Sequence, residues 1–304
     1  MRRLLLILSG LALFSAALVL FIIRPVSLTA DQITALPAGD ATRGTSVFWA
    51  GGCASCHATP NSTGDAHLVL AGGLELKTEF GTFVVPNISP SPTNGIGAWT
   101  LGDFASSMLN GVSPDGSHYY PVFPYGSYAR MTDQDVSDLY AFIKTLPPSE
   151  NVPSDNQLKF PFNIRAATGV WNLLYLNDDP RVVIEASNDV IARGQYLVEG
   201  AGHCGECHTP RNLIGGFQAD AWLSGAPNPD GLGRIPNITP GAKDVSAWSA
   251  EDLVAYFETG FTPEFDSVGG SMVSVQKNLS KLPKSDLEAI AAYLKAVPAR
   301  SDGI

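Results

Sequence analysis

The chain of 304 residues is poor in charge, in base and in sulfur. Lys, Arg, Asp and Glu make up 16% of it, and 29 acids outnumber 19 bases, for a net charge of −10. A chain this acidic lacks the basic stripe that marks a nucleic-acid binder. Hydrophobic residues still reach 45%, which excludes a disordered polymer. Only four cysteines and four methionines are present, so the position of each is informative. What the chain has in excess is glycine and proline, 30 and 22 residues. They carry no collagen period, and point instead to a loop-rich globular fold.

One uncharged run stands out. Met1-Arg2-Arg3 is followed by Leu4 to Ile23 without an ionisable side chain. As a helix this run is about 30 Å long, enough to cross a bilayer core. Arg2 and Arg3 would stay cytoplasmic and the rest of the chain would be exported. A cleaved signal peptide is the competing reading. Its apolar core should be shorter, and the nearest cleavage site, Leu28-Thr29-Ala30, has a large residue where a small one is wanted. A retained anchor over residues 1–30 therefore fits better. The acidic surface beyond it suits an exported soluble body, or a basic patch on a partner.

The four cysteines fall into two copies of one pattern, Cys53-Ala54-Ser55-Cys56-His57 and Cys204-Gly205-Glu206-Cys207-His208. C-x-x-C-H is a c-type haem attachment signature. Two intervening residues let both thiols face one porphyrin edge and form thioethers with its vinyl groups. The adjacent histidine then offers an axial nitrogen to the iron. Disulfides would not require a histidine after each second cysteine. Zinc also uses C-x-x-C pairs, and so does thioredoxin-type chemistry. Neither accounts for two C-x-x-C-H copies, no further cysteine and an export signal ahead. The expectation is two covalent haem c groups, on Cys53 and Cys56 and on Cys204 and Cys207, with His57 and His208 as axial ligands.

The surroundings repeat as well. Arg43-Gly44 precedes the first motif and Arg193-Gly194 the second; Pro86-Asn87-Ile88-Ser89-Pro90 returns as Pro236-Asn237-Ile238-Thr239-Pro240. Ala98-Trp99-Thr100 and Ala247-Trp248-Ser249 each open a helical pattern ending at glycine, Gly111 and Gly260, and a last amphipathic helix stops at Pro147 or Pro298. The chain thus reads as an internal duplication: one domain over 31–150, a linker over 151–186 and a second domain over 187–304. Gly44 and Gly194 mark where another helix comes close, with Phe142 and Tyr293 packing there. In the linker, Trp171 to Tyr175 is too short an apolar run for a second membrane span, and reads as a short helix between the domains.

These motifs resemble the class I cytochrome c family. The PNISP and PNITP runs, the Trp-led helices and Val268-Gly269-Gly270-Ser271-Met272 resemble the c-type subunits that partner membrane-associated alcohol, aldehyde and gluconate dehydrogenases. The resemblance covers nearly all of residues 31–304. It implies an all-α fold of two tandem class I domains behind a transmembrane helix, in the inner membrane and facing the periplasm. It also implies electron transfer, without bond chemistry, from a dehydrogenase or other donor to a terminal oxidase or soluble cytochrome. Those subunits commonly carry three haem domains, whereas this chain has two.

Class I haems usually take a methionine as sixth ligand. In the second domain Met272 is the one methionine available, and its GGSM setting matches the family's ligand. In the first domain, relatives often have methionine where Phe123 stands. Met131 is the nearest thioether; an open or water-bound iron, His118 and Met108 are the alternatives. Met131 also precedes Thr132, an N-cap candidate, and could staple onto Val136. An open iron would suit a dihaem peroxidase-like enzyme, the competing function, but no distal His–Arg or Glu arrangement stands out. His67 and His203 read as loop residues.

Overall fold

The computed structural model describes residues 2–301 except Ala186, Pro229, Asp230, Leu232 and Asp244; the last linker residue, Ala186, thus lies outside the described residues. The apolar N-terminal run is one helix, α1 (Arg2–Ile22), fully exposed along its length. A short α2 (Ala30–Ala35) follows.

Each half then repeats one plan. In the N-terminal half α3 (Ala41–Ala50) leads into α4 (Cys53–His57), then come α5 (Leu101–Asn110), a single turn α6 (Tyr125–Tyr128) and α7 (Asp133–Ile143). After α8 (Thr168–Tyr175), the C-terminal half has α9 (Asp189–Glu199), α10 (Gly205–His208), α11 (Ala250–Thr259), α12 (Met272–Leu279) and α13 (Lys284–Ala296). Polar side chains set the starts. Asp40 caps α3, Thr132 caps α7 and Asn188 caps α9. The Trp-led helices α5 and α11 carry reciprocal capping boxes, Thr100 with Asp103 and Ser249 with Asp252. Both end on glycine in the left-handed region, Gly111 at φ 63° and Gly260 at φ 78°.

The first and last helices of each half pack across a glycine. A Cβ on Gly44 would lie 2.0 Å from the Asp138 carbonyl oxygen, and one on Gly194 would lie 1.9 Å from that of Ala289. The next neighbours are the Cβ atoms of Phe142 and Tyr293, each at 2.8 Å, the two aromatics expected there. The arginine before each glycine forms a two-toothed ion pair across the same joint. Arg43 holds Asp138 at 2.7 and 2.8 Å, and Arg193 holds Asp286 at 2.9 and 2.9 Å. Two apolar cores result, one around Phe48, Leu70 and Leu139 and one around Trp222, Leu287 and Tyr293.

The chain is mainly helical, with an addition that helical periodicity does not reveal. Strand β1 (Glu75–Thr78) pairs antiparallel with β2 (Gly81–Val84), Glu75 opposite Val84, and β3 (Gln157–Leu158) from the linker extends the sheet. A smaller pair, β4 (Ala226–Pro227) and β5 (Arg234–Ile235), occupies the matching stretch of the C-terminal half. The rest of the linker does bridge the halves. On α8, Trp171 meets Tyr125 edge-on at 5.9 Å, while a side chain at Gly216 would strike the Tyr175 ring.

Candidate haem sites

Helices α4 and α10 are single turns, so the two cysteines of each motif, three residues apart, fall on one side of the turn. Cys53 packs against the first core and Cys204 against the second. None of the four cysteines is joined in a disulfide, so each sulfur is available for a thioether.

The histidines are oriented by the repeated proline motif. His57 Nδ1 lies 2.9 Å from the Pro86 carbonyl oxygen, and His208 Nδ1 lies 2.7 Å from that of Pro236. A carbonyl can only accept, so the proton sits on Nδ1 and the Nε2 lone pair is free for a metal. Burial lowers both imidazoles from their ordinary value, His57 to about 4, so the ligating neutral form is favoured. The asparagine after each proline anchors this carbonyl. Asn87 Nδ2 donates to the carbonyls of Ser149 and Asn151, and Asn237 Nδ2 donates to that of Arg300. The PNISP and PNITP runs therefore tie each histidine-orienting loop to the chain beyond the last helix, a role their repetition alone did not disclose. The donor set, two thiols and one Nε2 per half on two apolar cores, fits haem c in both halves.

The methionines differ. Met272 is the first residue of α12, half-buried against the second core. Met131 is 6% exposed within the first core, directly before Thr132, whose hydroxyl caps α7, and Val136 lies in the same core. Met108 is buried in α5, and Phe123 packs against the first core. His118 is engaged elsewhere: its Nε2 lies 2.7 Å from the Ile23 carbonyl oxygen and its Nδ1 3.2 Å from Asn172 Nδ2. With both ring nitrogens occupied, it does not face a metal. His203 lies in the loop before Cys204, as expected, and there contacts the opposite half, its Nε2 3.2 Å from the Gly51 carbonyl oxygen. His67 lies near Ser62.

Each C-x-x-C-H turn meets the opposite half across an approximate twofold. Asn278 Nδ2 donates to Ser55 Oγ at 2.6 Å, and Ser127 Oγ donates to Glu206 Oε1 at 2.8 Å. Ser55 and Glu206 hold the same place in their motifs, and the sequence spacing from Ser55 to Glu206 equals that from Ser127 to Asn278. A Cβ on Gly51 would rest 3.7 Å from the Ala201 carbonyl oxygen, and one on Gly202 would rest 3.8 Å from that of Ala50. Each half thus offers the other its attachment turn.

The cytochrome c family model matches residues 41–147. A diheme cytochrome c-type protein of Cereibacter sphaeroides is 53% identical over 300 residues, covering 98% of this chain and 99% of its own. The chain belongs to the cytochrome c family. The cytochrome is also 39% identical to the fructose dehydrogenase cytochrome subunit of Gluconobacter japonicus, over 86% of its own length and 53% of that subunit. Its identity to the gluconate 2-dehydrogenase cytochrome c subunit of Pantoea cypripedii is 34%, over 93% and 65%. The chain thus spans about half to two thirds of those dehydrogenase subunits. This cytochrome is a dihaem c-type protein, homologous to electron-transfer subunits of dehydrogenases.

Proposed function

We propose that this protein is a membrane-anchored dihaem electron carrier, taking electrons from a dehydrogenase and passing them to a respiratory acceptor. In this reading α1 is retained in the inner membrane and two tandem class I cytochrome c domains, 31–150 and 187–304, face the periplasm. Cys53 and Cys56 hold one haem and Cys204 and Cys207 the other. His57 and His208 are the proximal ligands, and Met131 and Met272 the distal ones. Each haem supplies a one-electron couple. The chain's own residues fix its position, exclude water and set the protonation of the ligating imidazole.

The observation that carries this reading is that each attachment turn contacts the opposite half, Ser55 with Asn278 and Glu206 with Ser127, and that the segments entering the two turns touch, His203 with the Gly51 carbonyl. A carrier needs its two redox centres close, and a joint that draws together the segments entering both attachment turns supports that. The named relatives that are dehydrogenase cytochrome subunits support a dehydrogenase as donor.

Two measurements test it. Fully reduced protein mixed with oxidised soluble cytochrome c should lose both electrons rapidly, whereas hydrogen peroxide should give no saturable turnover; rapid peroxide turnover would contradict the carrier. In the oxidised protein the near-infrared thioether band should fall by about half in Met131→Leu and in Met272→Leu, following ligand chemistry. An unchanged band in either variant would remove that methionine from the ligand set.

A further inference from the structure

The anchor does not hang freely from the folded body. His118 Nε2 holds the Ile23 carbonyl at 2.7 Å, Asn110 Nδ2 holds that of Val26 at 2.9 Å, and Ser106 Oγ takes the Leu28 amide at 3.2 Å. Gly169, in the first turn of α8, leaves no room for a side chain, because its Cβ would lie 2.1 Å from the same Ile23 oxygen. The exit of the apolar helix is thus pinned to the start of α8. An eight-residue helix is about 12 Å long, so all of α8 stays close to that exit.

The inner face of α8 is used. Asn172 bonds Tyr125 and His118, Trp171 meets Tyr125, and Thr168 and Gly169 are buried. Its outer face is apolar and bare: Val170 is 44% exposed, Leu173 64% and Leu174 56%. No residue of α8 is charged. Beside its far end, Asn212 Nδ2 donates to the Tyr175 hydroxyl at 3.0 Å. That contact sets the tip of the 211–217 loop alongside, where Leu213 is 97% and Ile214 54% exposed.

We infer that Val170, Leu173, Leu174, Leu213 and Ile214 form a patch that rests in the lipid surface beside the anchor. This rests on reading α1 as a retained membrane helix. The occupant is lipid because the bilayer face is where α1 ends, and α1 ends against α8. The patch is too short to span and has the apolar face of an interfacial segment. Its consequence is orientation: with both α1 and the patch seated, the body would no longer swivel about a single tether.

The test uses full-length haem-loaded protein in phosphatidylethanolamine/phosphatidylglycerol vesicles. Single cysteines replace Leu13, Leu173, Leu213 or Glu251, and a nitroxide is attached. Continuous-wave EPR then compares relaxation by oxygen, enriched in lipid, with relaxation by a water-soluble nickel chelate. Labels at 13, 173 and 213 should favour oxygen, and the label at 251, on α11, should favour nickel. A Leu173→Lys/Leu174→Lys change, at exposed positions, should keep the haem content and move the 213 label toward nickel. If 173 and 213 behave like 251, or are shielded from both reagents as under a protein partner, the patch proposal is overturned while the anchor stands. If the label at 13 also favours nickel, the anchor reading fails and the patch falls with it.

Discussion

The two halves of this cytochrome cross their first and last helices at equivalent glycines, yet fill the space behind the crossing in opposite ways. In the N-terminal half it is aromatic: the Phe142 ring packs on Phe48 at 5.0 Å, with Trp49 against Phe48. In the C-terminal half Tyr293 stands where Phe142 does, and its hydroxyl donates to Glu199 at 2.6 Å. Trp222 Nε1 donates to that hydroxyl at 3.1 Å, and Glu199, 2% exposed, also receives the Arg181 amide at 2.7 Å and Gln195 at 3.0 Å. Trp222 in turn lies against Gly205, inside the second C-x-x-C-H turn. The glycine contact sets the backbone joint; the chemistry behind it is free to differ. One crossing has an aromatic backing and the other a buried acid.

The sharpest way to break this comparison is at the shared element. Gly44→Ala and Gly194→Ala would each drive a methyl into a backbone carbonyl. Each should cost on the order of 3 kcal/mol, read as a lower midpoint in urea. A large loss in one variant and none in the other would show that the halves are not built on the same joint. Next comes Tyr293→Phe, which makes the second crossing resemble the first. It leaves Glu199 and the Trp222 indole each short of a partner, and should cost about 1–3 kcal/mol. Glu199→Gln should raise the potential of the C-terminal haem, because a nearby negative charge favours ferric iron. The N-terminal haem should not move in a spectroscopic redox titration.

The smallest expected effect lies in the ion pairs. Burial works to raise Asp138, but the hydrogen bonds from Arg43, the Asp40 amide and Gln134 outweigh it and hold the carboxyl below its ordinary 3.8. A carboxylate depressed in the folded state stabilises above that ordinary value, and the contribution is lost as pH falls below about 4 and through the folded value. Arg43→Met should therefore flatten the acid limb of a stability–pH curve. The change should be modest, since Arg43 is 57% exposed.

Much of this was readable from covalent pattern alone. The C-x-x-C-H turns, the Gly44 and Gly194 contacts with Phe142 and Tyr293, the Trp-led helices and the short bridging helix each rest on local residue types or spacing. What escaped depends on pairing across distance. The β1–β2–β3 sheet joins a loop to the linker, so no helical period marks it. The Pro86 and Pro236 carbonyls act through backbone atoms that any residue owns. His118 stood as a candidate sixth ligand until the fold placed its Nε2 against the Ile23 carbonyl. Ser55 with Asn278 and Ser127 with Glu206 became a matched set once the halves were seen in contact.

The most direct test is to digest the purified protein, expressed with a working maturation apparatus, and map its haem by mass spectrometry. The peptide bearing Cys53 to His57 and the peptide bearing Cys204 to His208 should each carry one tetrapyrrole. A bare peptide at either position, or a colourless protein, would contradict the account.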